Sequence, residues 1–186
     1  MQPVILHTKR MELSAPTEAD IDQITHICQD EDILKWTTVP SPYSRADAEF
    51  FVTQIVQPGW ESKVALTWAM RQGGDLIGMI SLTALDESMY ELGYWMAPIV
   101  RGQGLMVEAV QRVADYGFAA DGLNLGRIEW HAYVGNAGSA SVARRSGFTY
   151  EGLLRMEGLQ RGKRHDSWVA GLLPTDDRAE KPGWPA

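Results

Sequence analysis

The stretch "WMAPIVRGQGLMVEAV", residues 95–110, begins like a β-strand, passes two glycines and ends with apolar residues at helical spacing. Gly102 and Gly104 stand at the entrance of the predicted helix, where each glycine weakens a helix by about 1 kcal/mol relative to alanine. The first N–H groups of a helix are unpaired and attract anions. Because glycine has no side chain, it lets a phosphate approach these N–H groups closely. A tight turn that binds nothing explains the glycines equally well. The stretch therefore predicts a strand-to-helix turn and a candidate phosphate site.

Two familiar phosphate-binding loops do not fit this turn. A Walker loop needs Lys followed by Ser or Thr after its last glycine, and Leu105 and Met106 stand there. The dinucleotide fingerprint needs a glycine at position 107, which is Val107. The turn is therefore neither of these loops.

The segments around the turn predict one mixed α/β sheet with no internal boundary. Upstream, "TKRMELSAP" reads as a first strand, and Thr17 with Asp20 predicts a capped helix to residue 29. Ser44 predicts a second helix that ends before Pro58. Strands flank the glycine turn "QGGD", and a strand–helix–strand–helix–strand series follows residue 88. We expect one domain over residues 1–174 and a loosely ordered tail over 175–186.

Composition restricts the classes of function and the compartment. The 186 residues are 45% hydrophobic with a net charge of −7, and no basic stripe suits nucleic-acid binding. No apolar run approaches the roughly 20 residues that span a bilayer, so we expect no membrane partner. Cys28 is the only cysteine, which excludes an intrachain disulfide and a thiolate metal cluster. We expect a cytoplasmic protein without a metal, either a monomer or a homodimer.

Five motifs in order resemble the GCN5-related N-acetyltransferase (GNAT) superfamily, and more narrowly its ribosomal-protein N-acetyltransferase branch (RimJ/RimL-like). The pattern R/Q-x-x-G-x-G/A is matched from Arg101 to Met106, although Met106 replaces the usual small residue. The other motifs are "RMELSAPTEAD", "LIGMISL", "NAGSASVARRSGFTYEGLLR" and "GKRHDSWVAGLL". The resemblance covers nearly the whole chain. It implies the GNAT fold: one mostly antiparallel sheet of about seven strands, splayed between strands 4 and 5, with about four helices.

The resemblance also implies acetyl-CoA as co-substrate, with its diphosphate on the helix N-terminus and its pantetheine arm between the splayed strands. It assigns the diphosphate to the N–H groups of Gly102 to Met106 and to the side chain of Arg101 or Gln103. Main chain of the fourth strand and an asparagine after the fifth would hold the arm. The implied cofactor-binding residues are Trp95, Met96, Ala97, Arg101, Gly102, Gln103, Gly104, Leu105, Met106, Asn136 and Ser139.

Catalysis needs an acid for the leaving thiolate, a base for the amine and donors for the oxyanion. Many superfamily members carry a tyrosine acid four residues before the terminal "GF", where this chain has Ala143. Ser139 is the first candidate for that acid, and Ser141 is the second. Glu91 ranks first as base, followed by Glu157. The N–H of Met96 or Ala97 is the expected oxyanion donor.

Three further groups of residues near these candidates are assigned roles outside the chemical step. Strand alternation places Glu129, His131 and Tyr133 on one face of the predicted fifth strand, where a single histidine is more often structural than catalytic. Asp166 is expected to make a structural hydrogen bond. Trp36 is a candidate for lining the acceptor groove.

Three functions remain open at this point. The first is an acetyl-CoA-dependent N-acetyltransferase acting on a protein or peptide N-terminal amine. The second is a small-molecule N-acetyltransferase for an antibiotic or a polyamine. The third is an acyl-CoA-binding module without catalysis.

Overall fold

The structure is a computed structural model that describes residues 1–185 and divides into two compact units. The first unit comprises Met1–Ala84 with Gly93–Leu105, and the second comprises Leu85–Leu92 with the chain from Met106 onward. The chain passes from one unit to the other within a single strand, after Leu92. Each unit is described by itself below.

The described residues form eight strands and six α-helices, with a π-helical segment at Phe51–Val56 and 3-10 turns at Glu18–Asp20 and Pro98–Val100. The strands are β1 Leu6–His7, β2 Glu12–Ser14, β3 Ala65–Gln72, β4 Asp75–Ala84, β5 Met89–Met96, β6 Arg127–Tyr133, β7 Thr149–Gln160 and β8 Lys163–Leu172. The helices are α1 Ile21–Ile27, α2 Glu31–Trp36, α3 Arg45–Phe50, α4 Gln57–Ser62, α5 Leu105–Phe118 and α6 Ala137–Arg145.

The strands hydrogen-bond in the order β1-β2-β3-β4-β5-β6-β8-β7, which confirms the predicted mixed α/β sheet. The β5–β6 pair is parallel, whereas β1–β2, β2–β3, β3–β4, β6–β8 and β7–β8 are antiparallel. Eight strands replace the expected seven, because β1 is only two residues long and gives no readable alternation. The β5–β6 ladder runs from Met89↔Arg127 to Leu92↔Trp130 and ends there, within β5.

Local signals explain the β3–β4 hairpin and the first helical segment. Gly73 and Gly74 adopt φ of 62° and 97° in the two-residue turn, as the "QGGD" sequence predicts. Thr17 N–H donates to Asp20 Oδ2 at 2.7 Å, and both halves of the capping box are present. Arg71 on β3 donates to both oxygens of Asp20 at 2.7 Å. This buried ion pair links the helical segment to the first unit's sheet.

The helices of the first unit differ from the sequence prediction in two places. Asp30 caps an additional helix, α2, between the two predicted helices, and its carboxylate accepts from Ile33 N–H at 3.0 Å. The second predicted helix does begin after Ser44, but it continues through the π-helical segment and α4 to Ser62. Pro58 does not end it, because a proline in the first turn of a helical segment needs no N–H partner.

Cys28 lies in the first unit's core with an exposed fraction of 1%. Burial raises the pKa of its thiol to about 12, while a hydrogen bond with Tyr43 acts in the opposite direction. The thiol is therefore protonated at neutral pH and packs as a small apolar side chain.

The second unit is built on α5 and the strands β6, β8 and β7. Buried positions on α5 recur every three or four residues and form its apolar stripe, at Leu105, Met106, Ala109, Val110, Val113 and Ala114. On β6, Ile128 and Trp130 are buried while Glu129 and His131 are only partly so, which confirms the predicted alternation.

A bulge interrupts the β7–β8 ladder between Leu154 and Gly158. Asp166 accepts a hydrogen bond from Met156 N–H at 2.8 Å across the bulge, which is the structural role expected for this carboxylate. Met156 adopts φ of 56° there, and its neighbour Glu157 is carried on the same bulge.

The tail is packed rather than loosely ordered as predicted. Trp184 contacts the rings of Trp130 and Tyr150, with centroid distances of 5.4 and 5.7 Å. A Cβ added at Gly147 would lie 2.6 Å from the Asp177 carbonyl, so the tail backbone passes close to this glycine. Trp184 therefore packs on aromatic rings of the second unit, while the other residues of 175–185 are exposed or half-buried.

Candidate functional site

The glycine turn before α5 has the backbone geometry of an anion site. Gly102 and Gly104 adopt φ of 77° and 74°, a left-handed conformation that favours glycine. Within residues 1–185, the N–H groups of Gly102, Gln103 and Gly104 have no hydrogen-bond partner. The next N–H groups open α5, where the helix itself leaves them unpaired. Because the side chain of Leu105 is buried, this residue offers a ligand only its main chain.

The side chain of Arg101 contacts carboxylates of the first unit, and its assignment to the diphosphate stays a prediction. Its Nη2 lies 2.5 Å from Asp30 Oδ1 and its Nη1 lies 3.1 Å from Asp32 Oδ2. Its Nε donates to the Met96 carbonyl at 3.2 Å. The backbone carbonyl of Gln103 accepts from Arg10 Nη1 at 2.9 Å, whereas its side chain is exposed. The main chain of the turn is therefore the stronger candidate for binding an anion.

The end of β5 lies close to β4 in the first unit. A Cβ on Gly78 would lie 2.7 Å from the Trp95 carbonyl, so glycine permits this approach. The N–H of Ala97 donates to the Ile77 carbonyl at 2.9 Å, which removes Ala97 as the expected oxyanion donor. Met96 is left as the candidate of that pair.

Three carboxylates surround His131 in the second unit. Nε2 of His131 lies 2.7 Å from Glu129 Oε1, and Nδ1 lies 3.7 Å from Glu157 Oε2. Glu91 stands opposite Glu129 in the β5–β6 ladder, one pair before the ladder ends. Arg127 holds the other oxygen of Glu129 through Nε and Nη2, at 3.1 and 2.9 Å. The two sequence-predicted bases are thus brought to one group, which we call the His131 cluster: Glu91, Glu129, His131 and Glu157.

The pKa values of Glu91 and Glu129 are shifted in opposite directions. Burial raises the pKa of Glu91; His131 opposes this shift, and the charges of Glu157 and Glu129 add to it. Burial alone would raise the pKa of Glu129, but hydrogen bonds from His131 and Arg127 outweigh it and hold that pKa below its usual value. Two carboxyl groups with pKa values pushed apart suit proton transfer by Glu91 and orientation by Glu129.

Ser139 and Asn136 meet at the start of α6. Asn136 caps the helix, and its Oδ1 accepts from Ser139 N–H at 3.1 Å. Ser139 Oγ accepts from the indole N–H of Trp130 at 3.1 Å. The role of Ser139 as an acid stays a prediction. Ala143, at the position of the missing tyrosine, is fully buried.

Sequence reasoning missed three residues that contact the candidate site residues. Arg10 and Asp30 are far in sequence from the glycine turn region, so no local pattern connects them with it. Glu129 carried a usable signal, because alternation already placed it on the face of His131.

No group of His, Cys, Asp and Glu able to hold a metal ion occurs among residues 1–185. The helices of the same residues include none with the length and apolar character to cross a bilayer.

The mixed sheet and the glycine turn that opens α5 define the class first: an α/β protein with a candidate anion site at a helix N-terminus. The protein-family model described as "Acetyltransferase (GNAT) domain" matches residues 10–149. The chain therefore belongs to the GNAT acetyltransferase family. It is an N-acetyltransferase, as the sequence resemblance predicted.

Two relatives agree with this assignment, and a solved structure has the same fold. The chain is 33% identical over 153 residues to "Putative ribosomal N-acetyltransferase YdaF" of Bacillus subtilis (strain 168), covering 79% of this chain and 81% of that protein. It is 35% identical over 83 residues to the ribosomal-protein-serine acetyltransferase of Escherichia coli (strain K12), covering 44% and 45%. A structure of RimL, a ribosomal L7/L12 α-N-protein acetyltransferase in complex with coenzyme A, superposes with a TM-score of 0.82 at 22% identity, covering 91% and 98%.

Proposed function

We propose that this N-acetyltransferase transfers the acetyl group of acetyl-CoA to the N-terminal amine of a protein or peptide. The observation that carries the acceptor class is the similarity to the two ribosomal-protein-type acetyltransferases, at 33% and 35% identity. We place the reaction in the cytoplasm, in keeping with a single cysteine that is buried and free.

The glycine turn is proposed to hold the diphosphate of acetyl-CoA through the N–H groups of residues 102–106. The unpaired N–H groups of this turn fit an anion, and its glycines leave the backbone accessible. Arg101 is left out of this set because Asp30 and Asp32 engage its guanidinium. Main chain at 95–97 is proposed to hold the pantetheine arm.

Glu91 is proposed to accept the proton that the ammonium group of the acceptor loses, with Glu157 as the second candidate. An α-amine has a pKa near 8, so only about 1 kcal/mol is needed to deprotonate it at neutral pH. The negative charge of the His131 cluster also favours a cationic acceptor over a neutral one. Glu91 is the better base because its raised pKa lies closer to that of the amine.

The neutral amine then attacks the thioester carbonyl, forming a C–N bond and breaking the C–S bond. Met96 N–H is proposed to donate to the oxyanion that develops. Ser139 is proposed to donate a proton to the departing sulfur and to recover one from the acetylated nitrogen. The products are the amide, coenzyme A as its thiol and the one proton taken by the base.

The test is an acetylation assay with acetyl-CoA and matched acceptors, read by mass spectrometry. The acceptors are peptides with a free N-terminal serine, the same peptides with a blocked N-terminus and an internal lysine, and small amines such as spermidine. We expect acetyl groups on the free N-terminal peptides alone.

Other outcomes exclude this acceptor in distinct ways. Acetylation confined to small amines would identify a small-molecule acetyltransferase. Tight coenzyme A binding with no turnover of any acceptor would identify a non-catalytic binding module.

A further inference from the structure

Each of the three guanidinium nitrogens of Arg101 has a partner within the first unit. Both terminal nitrogens contact carboxylates, one from Asp30 at 2.5 Å and one from Asp32 at 3.1 Å. The remaining nitrogen, Nε, donates to the Met96 carbonyl at 3.2 Å. Burial alone would raise the pKa of Asp30, yet hydrogen bonds from Arg101 and from the Ile33 N–H outweigh burial and lower it. The side chain is thus a three-way connection between the end of β5 and α2.

This connection lies directly beside the glycine turn. Arg101 precedes Gly102 in the chain, and Met96 is the last residue of β5. On the other side of the turn, Arg10 Nη1 donates to the Gln103 carbonyl at 2.9 Å. The C=O and N–H of a planar trans peptide point in opposite directions, so this bond directs the Gly104 N–H away from Arg10. Two arginines therefore fix the turn through bonds that leave its N–H groups unused.

We propose that Arg101 is a positioning residue for the donor-binding turn, acting through Asp30 and Asp32, and is not a ligand of the diphosphate. This inference rests on the proposed binding of acetyl-CoA at the turn. Moving the guanidinium onto a diphosphate would leave two neighbouring carboxylates without their cation. That loss offsets part of the gain from contact with the ligand, because each partly exposed ion pair contributes up to about 1 kcal/mol.

The two possible roles of Arg101 predict opposite changes in coenzyme A affinity when its acidic partners are substituted. The double variant Asp30→Asn, Asp32→Asn removes both charges, and asparagine caps a helix as well as aspartate does, so α2 keeps its N-cap. A positioning role requires this variant to bind coenzyme A more weakly. A direct ligand role requires equal or tighter binding, because the arginine is released from its competitors.

The experiment is a calorimetric titration of coenzyme A into four proteins: wild type, Arg101→Gln, the double Asp variant and the triple variant. We expect Kd to rise about tenfold in Arg101→Gln and in the double variant, as for the loss of one charged hydrogen-bonded pair. The triple variant should match the other two, because all three remove the same connection. At saturating peptide and acetyl-CoA, kcat should change less than about threefold. Arg101→Lys should bind coenzyme A more tightly than Arg101→Gln but less tightly than wild type, since lysine keeps the positive charge but not the branched guanidinium.

Arg45→Gln is the matched control. Arg45 also bridges two carboxylates of the first unit, Asp22 and Glu49, but it lies on α3 and is exposed. Its loss should leave Kd unchanged. Thermal melting of every variant separates weaker binding from loss of folding.

The proposal is overturned if the double Asp variant binds as tightly as wild type, or more tightly, while Arg101→Gln loses affinity. It is also overturned if Arg45→Gln weakens binding as much as Arg101→Gln. If the wild-type protein binds no coenzyme A, the proposed donor site is itself wrong. The titration of the wild-type protein distinguishes this result from the others.

Discussion

Substitution of Gly104 by glutamate tests the donor site through backbone strain and charge together. Gly104 adopts φ of 74°, a conformation that an L-residue enters at a cost of about 1–2 kcal/mol. The new carboxylate would also stand at the proposed diphosphate position. One effect lowers the stability of the free protein, and the other acts only when the ligand is bound.

The sizes of the two effects can be separated. Strain of about 1–2 kcal/mol lowers Tm by roughly 5 °C in a chain of this size. A carboxylate about 6 Å from one phosphate charge costs about 3 kcal/mol at an effective dielectric constant of 20, or about a hundredfold in Kd. The charge effect must shrink as salt is added, because mobile ions screen exposed charges.

The assay is coenzyme A titration and thermal melting of Gly104→Glu beside two controls. Gly104→Gln carries the strain without the charge. Gly73→Glu places the same residue at another left-handed glycine, φ 62°, in the β3–β4 turn, where an added Cβ meets nothing within 4 Å. We expect all three to melt lower, and Gly104→Glu alone to show the salt-dependent hundredfold rise in Kd.

Equal Kd values for Gly104→Glu and Gly104→Gln at low salt would refute the reasoning, because the charge would then have nothing to repel. A similar loss of affinity in Gly73→Glu would trace the effect to general instability rather than to the turn.

Three further results are expected. Ser139→Ala should slow turnover about tenfold in single-turnover assays with coenzyme A affinity unchanged, whereas Ser141→Ala should not; equal rates for both would remove Ser139 from the mechanism. Glu91→Gln should slow turnover at least tenfold and yet raise Tm at pH 7, because a carboxyl group whose pKa is raised by folding destabilises the folded protein when it is ionised. The gain in Tm should fade as pH falls through the raised pKa of Glu91. A lower Tm for the variant at pH 7 would contradict this expectation. Asp20→Asn should cost about 3 kcal/mol in urea unfolding at pH 7 by leaving Arg71 unpaired. Burial alone would raise the pKa of Asp20, but hydrogen bonds from Arg71 and Thr17 outweigh burial and lower it. The wild-type protein therefore has its full stability advantage above the pKa of Asp20 in the unfolded chain. This advantage disappears as pH falls through the lower pKa of Asp20 in the folded protein.

Local sequence determined the features of this protein that depend on neighbouring residues. The Thr17–Asp20 capping box, the Gly73–Gly74 turn and the start of α5 at Leu105 are each fixed by the residues that form them. The order of such elements, with the motif from Arg101 onward, was sufficient to predict the family. The continuation of the second helix through Pro58 was not predicted, since a π-helical segment has no sequence signature comparable to a cap.

Only the tertiary structure decided how the candidate residues are used. Arg101 matches the motif, but its partners Asp30 and Asp32 lie about 70 positions earlier, and their contact follows from how α2 packs in the first unit. His131 likewise acquires Glu157 through a bulge in β7, which no periodicity in the sequence indicates. Sequence fixes local conformation because caps and turns are short-range interactions, whereas the charge around a side chain is the sum of residues that only folding brings together.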